Sequence, residues 1–465
     1  MCYNRSLFEV ISSPESPLGH TTQTTEMPAF TPRIRPEHLA WGVLLLAFAF
    51  FCVMCVTTTL GVHYFFFRST VSMNTVLQVG RGTASMITRS DPIEEAVRSE
   101  SRSLSSGTII STPDGQTQAV IAIRDSGYDG QLIAAITVKP NTRLSFSTAS
   151  QPRFEWSDAS YYAELDSLSG EIDVFVAENL PREFRLDIQT VQGSWVSVSS
   201  SGRYTLNASQ ERIRLTNQTG VATLFAPDSQ INRSVPEATE GSFATGDSEI
   251  VLSPAIVDLL ENSSFEELGP ASSNGEGTDS RVLPVSWACT NAQDDLPRGM
   301  YRSDTLEGRL TMHLVRAEGA SSHGETRCIQ PFRGQAGLDV SGYEHLSLRV
   351  TFYVDYQSLS TCGVDGSECP LMLKMDYLDI NGIAREWIHG FYAWVDEQTD
   401  YPRRCATCAL DHEQIYSKAW YTFESGNFIA ELPADLRPSS ILNVQFYASG
   451  HQYNVYVSEV ALAAR

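Results

Sequence analysis

Gln131–Ser150 reads QLIAAITVKPNTRLSFSTAS, and Ala163–Leu180 reads AELDSLSGEIDVFVAENL. Both are short apolar or alternating runs punctuated by Pro, Asn, Ser and Gly, the pattern of strands joined by turns. Downstream, FRLDIQT (Phe184–Thr190) sets Phe184, Leu186 and Ile188 on one face and Arg185 and Asp187 on the other, as in a half-buried strand. GSWVSVSSSGRYTL (193–206) and ERIRLTNQTGVATLF (211–225) continue at the same short spacing. Upstream, SGTIIS (106–111) and QAVIAI (118–123) flank Asp114-Gly115, a pair able to supply the positive φ values of a tight hairpin. With no helical pattern between these runs, residues 74–225 are expected to form a β-sandwich or short β-roll.

The order of elements resembles the FecR family of extracytoplasmic domains. The resemblance rests on ISTPDGQTQAVIAI (110–123), KPNTRLSF (139–146), the phrase carried by Leu168, Gly170, Ile172 and Val174, and FRLDIQT followed by a Gly-containing strand pair. Members are single-span regulators whose outer part senses a transducer in iron uptake and whose inner part controls a sigma factor. This chain departs from that pattern, because the segment before its apolar run lacks a helical, Trp-bearing anti-sigma region.

That apolar run is Leu39–Phe67, LAWGVLLLAFAFFCVMCVTTTLGVHYFFF, which contains no Asp, Glu, Lys or Arg. It can cross ~30 Å of hydrocarbon as a helix with room for tilt. Trp41 and Tyr64 suit its two interfaces, and Thr57, Thr58 and Thr59 can return their hydroxyls to the backbone. A cleaved signal peptide is the rival, but the run is long, 38 residues precede it, and no small-x-small site follows. An uncleaved transmembrane helix over 39–67 is therefore expected. Arg33 and Arg35 on one side balance Arg68 and Arg81 on the other. Orientation is read instead from the cysteine-bearing β-portion, which suits an oxidising exterior. This makes a single-pass cell-membrane protein with extracytoplasmic C-terminal domains and a disordered cytoplasmic tail at 1–38, rich in Ser, Thr and Pro.

Across 465 residues, 33 basic against 55 acidic side chains give a formal charge of −22. A nucleic-acid binder working through general electrostatics is excluded. Residues 226–260 are polar, acidic and punctuated by Pro and Gly, and read as a linker.

From 261 to 465 the bookends are ENSSFEELG (261–269) and VYVSEVALAAR (455–465). They resemble those of the galactose-binding-like jelly roll used by many carbohydrate-binding modules. The resemblance implies a β-sandwich jelly roll and a structural calcium beside the first strand, to which Glu266 and Glu459 could contribute; the plainer reading is two exposed carboxylates. Within this region LMLKMDYLDINGIAREWIHGFYAW (371–394) reads as two strands around Asn381-Gly382. Trp387, Trp394, Trp420 and Tyr421 are the aromatics expected for a sugar platform, against the alternative of core packing.

Cys289, Cys328, Cys362, Cys369, Cys405 and Cys408 form an even set that allows 15 connectivities. The simplest pairs neighbours in sequence, 289–328, 362–369 and 405–408. A zinc site of the last four, with His412 able to replace one, is the alternative. Cys52 and Cys55 lie inside the apolar run as packing residues.

The chain contains no GxSxG, HExxH, P-loop or GxGxxG motif. Asp376 and Asp379 are the nearest approach to a carboxylate pair, and His389 and His451 are expected as satisfied structural imidazoles. The expected protein is all-β after one transmembrane helix, a non-catalytic binder of a glycan or envelope component; the alternative is a FecR-like regulator sensing an extracytoplasmic partner. Protease added outside intact cells should remove most of the chain and leave a short membrane-bound N-terminal fragment, whereas recovery of a soluble chain starting after Phe67 would exclude the anchor.

Overall fold

The computed structural model describes residues 36–127, 130–227, 230–244, 246–270, 283–291, 296–317, 319–332, 334 and 336–465. Most of the 1–38 tail lies outside these residues. The chain divides into two compact units, Met1–His63 and Tyr64–Arg465, and the second contains all the strands. Pro36–Phe67 is one α-helix, whose segment Leu39–Phe67 is long and apolar enough to cross a membrane. Thr57 and Thr59 donate their hydroxyls to the carbonyls of Val53 and Cys55 at 2.9 and 2.8 Å, so neither competes for external partners.

The rest is all-β. Strands from Thr70 to Pro254 close into a barrel around a core that includes Leu77, Ile121, Ile136, Leu165 and Leu206. One 16-residue strand, Tyr161–Val176, serves both of its sheets. Its first half pairs with Thr142–Pro152 and Phe184–Thr190; its second half pairs with Leu132–Val138 and Gly202–Ala208. The change of partners falls at Ser167 and Gly170, with φ of 55° and 112°. A Cβ on Gly170 would stand 2.6 Å from Thr142 Cα, so the glycine of the Leu168–Val174 phrase is what lets the strand cross.

Two expectations change here. Asp114-Gly115 does not close a hairpin, because Thr108–Thr112 pairs with Ala84–Ile87 and Thr142–Pro152, while Gln118–Arg124 pairs with Asn74–Arg81 and Leu132–Val138. Asp114 Oδ1 instead accepts the Gln116 and Thr117 N–H groups in a side-chain turn that carries the chain between sheets. The segment expected as a linker, 226–260, is strand-rich: Asn232–Val235, Thr239–Ala244 and Val251–Pro254 extend the barrel, and Val257–Asp258 pairs with the C-terminal strand. Its polarity belongs to short strands with one outward-facing side, whose inward residues, Val235 and Phe243, join the barrel core.

The C-terminal portion is a two-sheet sandwich. The inner sheet runs Met300–Leu306, Arg309–Arg316, Tyr453–Ala464, Leu346–Gln357 and Trp420–Glu424. The outer sheet runs Ala288–Asn291, Gly324–Pro331, Pro438–Gly450, Leu371–Asp379, Ala384–Tyr392 and Glu413–Gln414. Phe265 of the first bookend is fully buried against Trp287 and Phe446, and the Val460 N–H of the last strand donates to Ser263 O. The bookends therefore meet, the first as a turn with a plugging ring rather than as a strand.

The inner sheet packs directly on the barrel. Trp420 and Tyr353 bury themselves against Val120, Ala122, Leu132 and Ala135. Gln118 donates Nε2–H to Thr422 O at 2.9 Å and accepts the Thr422 N–H at 2.8 Å, matching the free edge of a strand. Around this patch runs a belt of buried charge. Asp173 of the barrel lies 3.3 Å from Lys139 and 3.4 Å from Arg349 of the sandwich; Glu459 of the sandwich takes Arg203 of the barrel and accepts Thr351 Oγ1–H at 3.1 Å. Arg309 stands over the rings of Phe175 and Trp420, at 5.6 and 4.6 Å from their centroids.

Burial opposes ionisation of Asp173 and Glu459, but Lys139 and Arg349 beside the first, and Arg203 and Arg349 beside the second, hold both carboxyls below the ordinary range. Their stabilisation is present above the unfolded values, near about pH 4, and is lost as pH falls through the lower folded values. Glu459→Ala leaves buried guanidinium groups without that partner and should cost about 3–5 kcal/mol in denaturant unfolding at neutral pH, with the difference from wild type shrinking below about pH 4.

Candidate functional site

The alternation of Leu371–Asp379 decides what the outer sheet presents. Leu371, Leu373, Met375 and Tyr377 enter the sandwich core, so Met372, Lys374 and Asp376 face outward. Register carries the row across the sheet. Met372 lies opposite Tyr447 and Gly390, Lys374 opposite Gln445 and Ile388, and Asp376 opposite Asn443 and Glu386. Arg327 extends the first row beside Tyr447.

One end of this face is covered. Cys362–Cys369 and Cys405–Cys408 are disulfides that tie two loops over Met372, Ile388 and Tyr392, while Cys289–Cys328 joins two neighbouring strands of the same sheet. His412 sits between the two loop disulfides. Its Nδ1 accepts the Gly390 N–H at 2.9 Å and its Nε2 donates to Gly366 O at 2.8 Å, so the ring is satisfied within the protein; burial lowers its pKa. With the sulfurs bonded in pairs and both imidazole nitrogens engaged, these residues do not offer the thiolates and free nitrogen that zinc needs. Gly390 fits here because a Cβ would stand 2.6 Å from Met372 Sδ.

The other end is polar, with Glu386 exposed, Lys374, Asp376 and Asn443 partly exposed, and Gln445 buried among them. Lys374 Nζ lies 2.8 Å from Glu386 and 3.3 Å from Asp376; Gln445 Nε2 donates to Asp376 at 3.2 Å and to Asn443 Oδ1 at 3.3 Å. Burial acts against the Lys374 ammonium, but Glu386 and Asp376 hold its pKa above the ordinary value. Tyr447 stands at the boundary, its half-buried ring against the disulfide loops. Burial raises its phenol pKa, with Glu325 and Glu386 adding to the effect, so the hydroxyl keeps its proton. An aromatic ring beside planar amide and carboxylate groups can accept a sugar face while donors and acceptors meet its hydroxyls.

The expected platform is not assembled. Trp387 is buried edge-to-face on Phe428 at 5.2 Å; Trp420 belongs to the contact with the barrel and donates Nε1–H to Glu307 at 3.0 Å; Tyr421 points into the protein and donates to Glu413 at 2.7 Å. Among the four, Trp394 alone is exposed, at 46%. Sequence spacing located aromatic strands but not which face each ring takes. The period of two in Asn443, Gln445 and Tyr447 was the signal that could have found the polar face.

Glu266 and Glu459 do approach one another's surroundings, but a guanidinium stands between them: Arg203 bonds Glu459 and lies 4.0 Å from Glu266. A divalent cation would meet that positive charge, so the pair does not fit calcium. Asp379 is fully buried, accepting the Asn381 and Ile383 N–H groups and Arg385 Nε–H, whereas Asp376 faces outward, so the two carboxylates form no catalytic pair. His389 differs from the satisfied imidazole expected. It is stacked on Phe423 at 4.7 Å, neither ring nitrogen is hydrogen-bonded, and burial pushes its pKa down to about 3. It is a neutral core ring. The cleft between barrel and sandwich, about 510 Å³, is walled by Arg203, Glu266, Arg349 and Glu459, charges already engaged with one another, and by Lys139, engaged with Glu171, Asp173 and Glu424.

Trp387→Ala and Trp420→Ala should each lose roughly 3–5 kcal/mol of stability, whereas Trp394→Ala should stay within about 1 kcal/mol of wild type in the same unfolding assay.

No protein-family model matches the chain. No curated protein matches it either. Among solved structures it is similar to a candidate anti-sigma factor from Parabacteroides distasonis, at 17% identity and a TM-score of 0.22, over 32% of this chain and 59% of that one. It is also similar to TmCBM61, solved with beta-1,4-galactotriose, at 9% identity and a TM-score of 0.23, over 45% of this chain and 99% of that one. A third is the family 11 carbohydrate-binding module of the cellulase Lic26A-Cel5E of Clostridium thermocellum, at 10% identity and a TM-score of 0.24, over 42% and 94%. The chain thus spans about three fifths of the length of the anti-sigma factor, and at these scores any argument about function rests on the residues themselves.

Proposed function

We propose that this is a single-pass, membrane-anchored, non-catalytic binding protein that engages a glycan of the cell envelope through the polar end of its outer sheet. The observation that carries the reading is the row of Lys374, Asp376, Glu386 and Asn443, with buried Gln445 holding Asp376 and Asn443 in place, beside the half-buried ring of Tyr447. The groups are held in place by one another and by the sheet, so little side-chain freedom is lost when hydroxyls replace water. The disulfide loops stand as a wall at one end of this row and Trp394 lies on the chain leaving Ala384–Tyr392. An extracytoplasmic placement suits the three disulfides, and the Leu39–Phe67 helix supplies the anchor. The barrel, in this reading, carries the sandwich as a fixed body rather than on a flexible tether.

The full chain in detergent micelles, displayed on a glycan array, should retain at least one glycan class with weak single-site affinity, since one ring contributes on the order of 1 kcal/mol. Tyr447→Ala and Glu386→Ala should each reduce that retention by roughly five-fold or more while leaving the unfolding midpoint near wild type. Retention unchanged in both variants would exclude this face. If no glycan binds and the 1–38 tail captures a cytosolic factor, the FecR-like regulator is the better reading.

A further inference from the structure

The Phe154–Trp156 loop of the barrel has no part in the outer-sheet face, yet it displays the most exposed ring among the barrel's described residues, beside Phe65 and Phe66. Trp156 is 57% exposed and stacks on Phe154, with centroids 4.7 Å apart and planes 12° apart. Phe154 in turn lies 5.5 Å from Phe65 and 5.3 Å from Phe66, and Trp156 lies 6.3 Å from Phe66. These four rings form one cluster within the Tyr64–Arg465 unit.

The loop is held in this pose by its backbone. Arg182 donates to the carbonyls of Phe154, Glu155, Ser157 and Ala159. Buried Ser157 donates Oγ–H to Phe67 O at 2.7 Å, and the Arg153 N–H donates to Ser69 O at 2.9 Å. Arg153 lies over the Phe65 ring at 5.7 Å. A guanidinium spent on four carbonyls of one short loop fixes a shape, and the shape it fixes leaves a tryptophan uncovered. In water that ring would be a standing cost, because the largest apolar side chains are ordinarily at least half covered.

We infer that the Phe154–Trp156 loop is a second membrane contact, with the Trp156 ring seated in the interfacial layer of the same bilayer that Leu39–Phe67 crosses. The inference rests on the anchor reading. The apolar run ends at Phe67 and Arg68 follows it, so the hydrocarbon boundary falls at the turn that carries Phe65 and Phe66. Rings packed against those two residues stand at the depth where Trp and Tyr are enriched, with an apolar body in the acyl boundary and an indole N–H among the headgroups. Arg68 and Arg153 are matched by Glu155 and Asp158 in this stretch, so the partner is the dipolar interface of a zwitterionic lipid rather than an anionic headgroup. Two points of contact, the helix and the loop, would set the tilt of the β-unit on the membrane where one would leave it free to swing.

The test uses the full chain and its Trp156→Phe variant, each reconstituted into phosphatidylcholine vesicles, with Trp156 emission read as the difference between the two. The expected difference spectrum is blue-shifted from free indole, loses most of its intensity in vesicles whose acyl chains carry bromine near the headgroup, and is unaffected by aqueous iodide. A difference spectrum at the free-indole wavelength that iodide quenches and brominated lipid does not would overturn the contact. Flotation of the same vesicles after alkaline carbonate extraction separates the two readings: a chain that stays with the vesicles while Trp156 reports water sinks the loop contact alone, and a chain that is stripped off sinks the anchor with it. Phe154→Leu, which keeps an apolar side chain but removes the stack, should shift the Trp156 emission toward free indole; an unchanged spectrum there also counts against the rigid loop.

Discussion

The ionic belt between barrel and sandwich is the constraint on which the arrangement of the β-unit depends. Asp173 and Glu459 each sit among cations contributed by both domains. Taking such groups out of water is expensive, and their attraction offsets that cost only when each charge meets its own partner. An apolar patch alone, such as that of Trp420 on Ala122 and Leu132, would tolerate sliding, because dispersion contacts have little directional preference. The belt and the Gln118–Thr422 amide bonds do not. They fix one docking and thereby decide which sheet of the sandwich is covered and which remains uncovered.

That division also explains what was legible in the sequence. Strand alternation announced an all-β chain, and the hairpin at Asn381-Gly382 forms as its sequence indicates, with Gly382 at a φ of 74°. The three disulfides follow the pairing of sequence neighbours: Cys362–Cys369 and Cys405–Cys408 close short loops, and Cys289–Cys328 joins residues that strand pairing sets opposite one another across a separation of 39 residues. The destinations of Trp420 and Tyr421 were not legible, since adjacent residues of one strand face opposite ways and only the docking with the barrel makes both sides buried. Glu266 and Glu459 looked like oxygen ligands because nothing near them in sequence marks Arg203 as their neighbour. The polar segment at 226–260 hid its strands for a related reason: strands with one outward-facing side need only one inward apolar residue in two, and in strands this short the turn residues dominate the pattern.

The outer face inherits its character from the same packing. Because Leu373 and Met375 are committed to the core, the intervening Lys374 and Asp376 must face out, and the neighbouring strands add Gln445, Asn443 and Glu386 to the row without any further design. Two short disulfide loops then narrow the exposed area to one end. A surface made in this way is rigid, because the groups that face outward are held by the sheet and by one another.

The central strand of the inner sheet, Tyr453–Ala464, pairs with Arg309–Arg316, with Leu346–Gln357 and with Val257–Asp258. None of these partners is close to it in sequence, so the inner sheet must gather distant segments around this strand, even though Met300–Leu306 with Arg309–Arg316 and Leu371–Asp379 with Ala384–Tyr392 form local hairpins. Folding of such a topology belongs to the slow end of the range, on the order of milliseconds to seconds. During that interval the Leu346–Gln357 strand, a long β-branched and aromatic run, stands unpaired and open to intermolecular association. Pairing among distant strands of one molecule must therefore outpace pairing between strands of two.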